Sequence, residues 1–376
     1  MLTRTALVSI LCVLLLSANA APAAVPATDD GPGRCLPVSA YRVSAPLNFC
    51  GENVPLENPD VRERMERELL ISAWNQPQVI LWMKRSGRYM PAIERMLRES
   101  GMPEDLKYVA IAESALKPHA GSSKGAKGVW QFMEGTGARY RLKVDDDFDE
   151  RRNFHASTRA ALKYLRDLYA MFGSWTLAAA AYNMGEAGLQ SEMILQKVSS
   201  YYHLYLPLET QQYVFRILSA KLILSNPSHY GFQLPAEDLY APQAVERITV
   251  LCPEDTPVQI VAEAANTYFK MIKDLNPEIR GHHLPPGRHD LLIPRGAADG
   301  FQSRFEALFS RWLADRKTNI HVVKKGESLA MIAERFHVPV QAIAAWNRIS
   351  VKKKIYPGER LIVFPNGVRP SDRQDR

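Results

Sequence analysis

Glu113 is an acidic residue at a position where an amphipathic helix would carry an apolar one. The sequence pattern predicts a helix over 103–116, and Glu113 projects from its apolar face rather than from its solvated face. That face is formed by Leu106, Val109, Ala110 and Leu116. Burial raises the pKa of a carboxyl group, and a carboxylic acid still protonated near pH 7 can donate a proton to a leaving oxygen. Glu113 is therefore a candidate general acid, and the alternative is a structural glutamate bonded to a backbone amide or an arginine.

A glycine-rich stretch and an aromatic run follow Glu113. The stretch covers 121–128, and the residues after Val129 are Trp130, Gln131, Phe132 and Met133. Two aromatic side chains that frame an amide suit a groove in which sugar rings lie against flat faces and Gln131 bonds a polar substituent. The alternative is that the glycines only form a turn and that the two aromatic side chains belong to the core.

Helical patterns dominate from about 58 to 226, and these helices must position the candidate residues. The clearest helices are predicted over 157–172, 175–183 and 208–225. Gly173 is placed to end the first of them, and Ser174 is placed to cap the second. Because no strand-rich stretch of comparable length interrupts this half, it is predicted to be an all-α or nearly all-α domain.

An internal repeat follows Gly231, where the pattern changes to short apolar runs separated by turns. Residues 248–251 match 320–323, and Pro286-Gly287 matches Pro357-Gly358. Each unit has the pattern strand, helix, helix, turn, strand. The two strands must pair to bury their apolar faces, so each unit is predicted to be a βααβ module of about 45 residues.

The second unit carries most of the net charge of the chain. Residues 317–365 contain nine Lys or Arg and three Glu, a balance of +6 within a total of +7. Such a field favours polyanions, although it could equally be a solvated face that confers solubility. Nucleic acid is a poor candidate partner for an exported protein that has no nucleic-acid-binding motif, which leaves a charged cell-wall polymer or a membrane surface.

The first twenty residues resemble a signal peptide. A basic n-region with Arg4 precedes an apolar run over 6–16 and the small residues Ala18 and Ala20, so export is predicted. No later segment approaches the roughly 20 apolar residues that span a bilayer, so the mature chain is expected to be soluble. With 376 residues, 46% of them hydrophobic and 23% charged, the chain is long enough for two or three ordinary globular domains.

Residues 21–57 are rich in Pro, Ala and Gly and are predicted to form a partly ordered leader. Cys35 and Cys50 in this leader are candidates for a disulfide in an oxidising compartment. Cys252 is expected to pack as a small hydrophobic residue, and no His or Cys spacing resembles a metal site.

Several of these motifs together resemble the catalytic motifs of the soluble-lytic-transglycosylase family, which shares a lysozyme-like fold. They are Glu113-Ser114, Gly125-Ala126 with Gly128, the run 130–133, and the Ala-Tyr-Asn-Met-Gly run 181–185. The run 206–210 with Tyr213 is similar to a further motif of the transglycosylase D subgroup. The two repeats resemble LysM peptidoglycan-binding domains, the second typical and the first degenerate. The resemblance covers roughly residues 70–365.

The resemblance implies an α+β multidomain chain, in which a mostly α lysozyme-like catalytic domain precedes two small βααβ LysM-like modules. The expected segments are a signal peptide (1–20), the leader (21–57), the catalytic domain (58–235), a degenerate module (245–296), a helical linker (297–316), a LysM module (317–365) and a tail (366–376).

The implied reaction is cleavage of the β-1,4 bond between N-acetylmuramic acid and N-acetylglucosamine, with formation of a 1,6-anhydro ring. Glu113 would protonate the glycosidic oxygen and then remove the proton from the C6 hydroxyl. Hydrolytic glycosidases usually need a second carboxylate, whereas this family uses the N-acetyl group of the substrate to hold the developing charge. No cofactor and no metal are implied, and the implied partner is the glycan strand of peptidoglycan.

The resemblance also implies roles for six other residues. Ser122 and Gln131 match positions that orient the acetamido group, and Met133 matches a residue that lines the groove. Tyr182, Asn183 and Tyr213 match residues around the acid, where a hydroxyl or an amide can position the carboxyl group and tune its acidity. Core packing is the alternative for these side chains.

Two rival functions stay open. A muramidase or chitinase on the same scaffold would need a second acid near Glu113, and the available carboxylates are Asp145, Asp146, Asp147 and Glu186. A non-catalytic peptidoglycan-binding scaffold is the other rival.

The sequence departs from the family pattern in two respects. Transglycosylase D proteins are commonly lipoproteins, but Cys12 lies inside the apolar run without the small residues of a lipoprotein cleavage site. The expectation is therefore a periplasmic protein in peripheral association with the cell wall or outer membrane. The first module has Glu254 where the second has the turn glycine Gly326, so both a glycan-binding role and a spacer role stay open for it.

Overall fold

The computed structural model describes residues 38–364. The predicted signal peptide, Cys35 as the expected partner of Cys50, and the tail 366–376 lie outside these residues. Within 38–364, no helix is both long and apolar enough to cross a membrane.

The first half of the described chain is helical. Its helices are α1 Pro59–Trp74, α2 Gln76–Glu99, α3 Lys107–Ser114, α4 Glu134–Arg139, α5 Phe154–Phe172, α6 Trp175–Met184, α7 Glu186–Gln196 and α8 Leu208–Ser225. Helix α8 packs against α1, α3 and α6 and thereby forms the centre of the domain. The predicted all-α character of this half is confirmed.

Local capping residues determine several helix ends, as predicted. Helix α5 ends where Gly173 adopts the left-handed conformation, with φ 67°. The Ser174 hydroxyl accepts a hydrogen bond from the Leu177 amide at the start of α6. Helix α5 begins slightly earlier than predicted because the side chain of Asn153 caps it through the Ala156 amide.

Helix α3, which carries Glu113, is shorter than the predicted helix over 103–116. A 3-10 turn at Glu104–Leu106 precedes it, and Ala115 and Leu116 leave the helix with φ angles of 53° and 59°. The apolar stripe is nevertheless correct, because the side chains of Leu106, Val109 and Leu116 are fully buried.

The packed domain begins earlier than the predicted boundary at 58. Strands β1 Asn48–Phe49 and β2 Glu52–Asn53 form a hairpin, and Phe49 and Leu56 are fully buried. The Glu52 carboxylate accepts a hydrogen bond from the Thr176 amide at 3.0 Å and so caps α6. These long-range contacts order residues 48–56, a part of the predicted leader whose sequence shows no helical or strand periodicity.

Both repeats have the predicted βααβ order. The elements of the first unit are β3 Val245–Cys252, β4 Thr256–Pro257, α9 Val258–Ala264, α10 Phe269–Leu275, β5 His283–Leu284 and β6 Gly287–Pro294. Helix α11 Phe301–Thr318 follows, and the elements of the second unit are β7 Ile320–Val322, α12 Leu329–Arg335, α13 Val340–Trp346 and β8 Arg360–Ile362. Strand β3 pairs antiparallel with β6, and β7 pairs antiparallel with β8. The likeness of the first unit to LysM remains a prediction.

A matching asparagine closes each unit. The Asn276 side chain donates to the Leu292 carbonyl and accepts from the Leu292 amide, at 2.8 and 2.7 Å. Asn347 makes the same pair of bonds to Ile362, both at 2.8 Å. The repeat detected in the sequence therefore preserves one structural contact, between the second helix and the last strand.

Helix α11 is more than the predicted linker. Its side chains Phe301, Phe305 and Phe309 are buried in the same core as β3, α9 and β6 of the first unit. Cys252 also lies in this core with 1% exposure, as expected for a small hydrophobic residue.

Candidate active site

All seven residues predicted for the site line one groove of about 550 Å³ in the helical domain. They are Glu113, Ser122, Gln131, Met133, Tyr182, Asn183 and Tyr213. Helix α3 supplies the acid, the loop between α3 and α4 supplies the next three residues, and α6 and α8 supply the last three.

Tyr213 holds the carboxyl group of Glu113. Its hydroxyl donates a hydrogen bond to Oε1 of Glu113. Withdrawal from solvent raises the pKa of Glu113 to about 7, while the bond from Tyr213 and the charge of Arg216 lower it and the charge of Glu209 raises it. Burial also holds the pKa of Tyr213 well above its usual range, so its hydroxyl stays a donor. The carboxyl group can therefore be protonated near neutral pH.

The groove loop, residues 121–132, presents Ser122 and Gln131. The Ser122 hydroxyl accepts a hydrogen bond from the Ala126 amide at 3.1 Å and so closes the turn of this loop. Gln131 has a left-handed backbone, with φ 48°, and its side-chain nitrogen donates to the Gly128 carbonyl at 2.7 Å. This bond leaves the side-chain carbonyl oxygen of Gln131 as an acceptor for a ligand.

Tyr182 and Asn183 support the groove and have partners other than the acid. The Tyr182 hydroxyl donates to the Trp130 carbonyl at 2.8 Å. The Thr210 hydroxyl donates to Oδ1 of Asn183 at 2.8 Å. That bond fixes the amide so that its NH₂ group is free to donate, and Asn183 thereby contributes a donor to the groove.

The aromatic residues of the run 130–133 are core residues. Trp130 is fully buried and donates its indole N–H to the Thr158 hydroxyl at 2.9 Å, and Phe132 is 2% exposed. Tertiary packing thus places the Trp130 ring behind the groove, whereas Phe132, although almost fully buried, is among the residues that line it. A flat face presented to a sugar by Phe132 stays a prediction. Met133, by contrast, is 45% exposed at the groove.

Among the proposed second acids, Glu186 alone lines the groove, and Asp145, Asp146 and Asp147 do not. An Arg139 guanidinium nitrogen lies 2.5 Å from Glu186 Oε1, and the Tyr164 hydroxyl donates to Oε2 at 2.7 Å. The bond from Arg139 lowers the pKa of Glu186 to about 2. This carboxylate is ionised and occupied by its own partners.

Sequence reasoning gave no role to Glu209, Arg216 and Tyr164, which also line the groove, although Glu209 lies in the motif run 206–210. Helical spacing could have found the first two, because they lie four residues before and three residues after Tyr213 on α8 and share its face. No comparable signal marked Tyr164 on α5. Within 38–364, no group of three or more His, Cys, Asp or Glu side chains is arranged to hold a metal ion.

Comparison with known proteins adds two family matches. Residues 90–203 match the transglycosylase SLT domain, and residues 321–364 match the LysM domain. The chain is 30% identical over 334 residues to the membrane-bound lytic murein transglycosylase D of Escherichia coli (strain K12), a match that covers 84% of this chain and 72% of that protein. This chain belongs to the lytic murein transglycosylase D family.

Membership in this family makes the chain a lytic transglycosylase, with the lysozyme-like fold of the SLT domain and a LysM domain near the end of the described residues. A shorter match, 33% identical over 110 residues, relates 28% of the chain to 53% of a putative tributyltin chloride resistance protein of Alteromonas sp. (strain M-1). An X-ray structure of an inactive mutant of the lytic transglycosylase Slt from Pseudomonas aeruginosa is 20% identical, covers 40% of this chain and 26% of that chain, and has a TM-score of 0.29.

Proposed function

We propose that this lytic transglycosylase cleaves the β-1,4 bond between N-acetylmuramic acid and N-acetylglucosamine in peptidoglycan and leaves 1,6-anhydro ends. The observation that carries the proposal is the Glu113 carboxyl group, which has a pKa of about 7 and a hydrogen bond from Tyr213 inside a groove. Such a group is a proton donor and, once ionised, a proton acceptor at the same pH.

In the first step, Glu113 protonates the glycosidic oxygen and the bond from that oxygen to C1 breaks. Since Tyr213 donates to Oε1, the acidic proton resides on Oε2. The acetamido oxygen of the muramic acid residue stabilises the positive charge that develops at C1. The carbonyl oxygen of Gln131 accepts from the acetamido N–H, and the Ser122 hydroxyl contacts the same group.

In the second step, the Glu113 carboxylate removes the proton from the C6 hydroxyl of the muramic acid residue. The C6 oxygen then attacks C1 and closes the 1,6-anhydro ring, and Glu113 is protonated again. The bond from Tyr213 stabilises the carboxylate between the two steps. Met133, Tyr182 and Asn183 line the site and hold the sugar in register.

The state of Glu186 supports this single-acid scheme over hydrolysis by a Glu113–Glu186 pair. A hydrolase needs a second carboxylate that acts as nucleophile or base. Glu186 is bound to Arg139 and Tyr164, so it is not available for that role. Glu209 is then the carboxylate of the groove that a hydrolase would have to use, and the variant Glu209→Gln tests it.

We further propose that the LysM unit tethers the enzyme to glycan strands and raises its local concentration on the substrate. The domain boundaries expected from the sequence, with the start of the catalytic domain moved forward to include the β1–β2 hairpin at 48–53, belong to the same proposal. Export to the periplasm with peripheral attachment to the wall or outer membrane also belongs to it, and the Escherichia coli relative is likewise described as membrane-bound.

Mass spectrometry of digested sacculi tests the reaction. The expected products are muropeptides with 1,6-anhydro ends, each lighter by one water than the reducing product of a hydrolase. Glu113→Gln should yield no products and Glu209→Gln should still yield anhydro ends. Reducing ends from the wild type, lost in Glu209→Gln, would establish a hydrolase instead.

A scaffold function makes a different prediction for the same samples. Wild-type protein that clears sacculi no faster than Glu113→Gln would favour the scaffold. If the tether proposal is correct, Glu113→Gln should still sediment with sacculi, because the LysM unit needs no acid for binding.

A further inference from the structure

The first βααβ unit, β3 to β6, is joined to the helical domain by backbone pairing. The Asp149 amide donates to the Glu278 carbonyl, and the Arg280 amide donates to the Asp147 carbonyl, both at 2.8 Å. These bonds form an antiparallel bridge between the loop before α5 and the segment after α10. Backbone bonds of this kind fix register, so the first unit is positioned on the helical domain rather than tethered to it.

A side chain of the helical domain also enters the core of the first unit. Phe148 is 8% exposed and belongs to the buried cluster that contains Val250, Ile279 and Leu291. Its ring stacks on His289, with centroids 5.4 Å apart. The loop before α5 is therefore anchored to the first unit by its own buried ring, Phe148, in addition to the backbone bridge.

The same loop continues into Arg151, which binds the groove loop. The Arg151 guanidinium forms two bonds of 2.8 Å with Asp149, and the two residues are 5% and 4% exposed. Its remaining donors reach the carbonyl oxygens of Gly125 at 3.0 Å and Phe132 at 3.3 Å. One buried guanidinium therefore joins the middle of the groove loop to its last residue, on either side of the part that leads to Gln131.

The contact between the two loops is close. A Cβ atom added at Gly128, whose φ is 81°, would lie 1.8 Å from the Arg151 carbonyl oxygen. The groove loop thus rests directly on the backbone of the Arg151 segment, and a displacement of that segment must displace the loop.

We propose that Arg151 is a positioning residue for the groove loop and that the first βααβ unit acts as a brace, holding the segment of Arg151 in place through Phe148 and Asp149. The first unit is then part of the catalytic unit and not a second glycan tether. The positioning of the groove loop by Arg151 follows from these contacts alone, while its consequence for substrate binding rests on the proposed function.

Hydrogen exchange of the full chain tests the brace. In Arg151→Met and in Phe148→Ala, the amides of residues 121–132 are expected to exchange about tenfold faster, while those of α3 and α8 keep their wild-type rates. Phe269→Ala is the matched control, because Phe269 packs on the same core but touches His282 rather than the bridging loop. It should leave the groove loop unchanged.

Wild-type exchange of residues 121–132 in both Arg151→Met and Phe148→Ala overturns the proposal. So does equal acceleration in Phe269→Ala. If Phe148→Ala fails to fold, the comparison of Arg151→Lys with Arg151→Met decides. Lysine keeps the positive charge beside Asp149 but cannot form the paired guanidinium bonds. Arg151→Lys should therefore accelerate exchange of residues 121–132 less than Arg151→Met does.

Binding of chitotetraose separates this proposal from the proposed function. Measured by calorimetry in the inactive Glu113→Gln chain, affinity should fall about tenfold on addition of Arg151→Met, because Gln131 is no longer held. In the active chain, the pH at which activity declines should be unchanged, since Arg151 does not contact Glu113. If the wild type shows no turnover but Arg151→Met and Phe148→Ala show faster exchange of residues 121–132, the enzyme mechanism is refuted and the brace stands. If the wild type turns over substrate but both variants keep wild-type exchange, the brace is refuted and the enzyme mechanism stands.

Discussion

The Tyr213 hydroxyl donates a hydrogen bond to Oε1 of Glu113, so helix α8 holds the acid that helix α3 presents. The bond favours the carboxylate, whereas withdrawal from solvent favours the neutral acid, and the second effect is larger because the pKa of Glu113 rises to about 7. The pKa of the proposed catalytic group thus depends mainly on two opposed effects, burial and the hydrogen bond from Tyr213, and the second can be removed by substitution.

Tyr213→Phe should move the alkaline limb of the pH–activity profile to higher pH. Loss of the hydroxyl removes a bond that stabilises the charged form, so the pKa of Glu113 rises further, by about one unit. Turnover of soluble muropeptides between pH 5 and 9 measures the shift. Tyr182→Phe is the control, because the Tyr182 hydroxyl bonds the Trp130 carbonyl. A limb that moves equally in both variants would contradict the assigned contact.

Glu113→Gln should change the pH dependence of stability. The folded-state pKa of Glu113 lies above its unfolded value, so its contribution is fully present below about pH 4.5 and is lost as pH rises through about 7. The unfolding free energy of Glu113→Gln minus that of wild type should therefore rise by on the order of 2–3 kcal/mol when the pH is raised from 5 to 8.5.

Urea unfolding at both pH values measures this difference. Glu186→Gln is the matched control, since the pKa of Glu186 is about 2 and titration of that group is complete below this range. Parallel stability curves for wild type and Glu113→Gln would show that Glu113 is not neutral in the folded protein at pH 5.

Gly128→Ala should disrupt the groove loop. The added Cβ would overlap the Arg151 carbonyl, and the φ of 81° is unfavourable for alanine. We expect a loss of at least about 2 kcal/mol in unfolding free energy, measured by urea titration. Gly135→Ala is the control, because Gly135 lies in α4 with no neighbour within 4 Å of the added atom. Equal stability of the two variants would argue against the close contact between the loops.

Arg348→Ala should release the second βααβ unit. Arg348 on this unit pairs with Asp147 of the helical domain and, at 2.5 Å, with Asp255 of the first unit. Exposed ion pairs contribute about 0.2–1 kcal/mol each, so the contact is weak and sensitive to salt.

Small-angle scattering should show a larger radius of gyration for Arg348→Ala at low salt, and wild type should approach that value as salt is raised. Arg335→Ala serves as the control, since Arg335 pairs with Glu327 inside the same unit. A radius that is identical for all three proteins at every salt concentration would mean that Arg348 does not hold the units together.

The sequence by itself determined the features that depend on residues close together in the chain, namely helix ends, apolar periodicity and the internal repeat. Capping by Ser174 and termination at Gly173 are local effects, so the helix boundaries there followed from residue type. The apolar periodicity around Glu113 revealed its unusual position, and the match of residues 248–251 with 320–323 and of Pro286-Gly287 with Pro357-Gly358 revealed the two βααβ units.

Only the tertiary structure decided which of two locally equivalent roles a side chain takes. Trp130 and Gln131 are adjacent, yet the ring is buried against Thr158 and the amide faces the groove. Glu186 and Glu113 were both candidate acids, and the proximity of Arg139 lowers the pKa of Glu186 to about 2, while burial raises the pKa of Glu113 to about 7. The brace through Phe148 likewise joins residues more than a hundred positions apart. Burial and charge proximity depend on long-range packing, which no local pattern encodes.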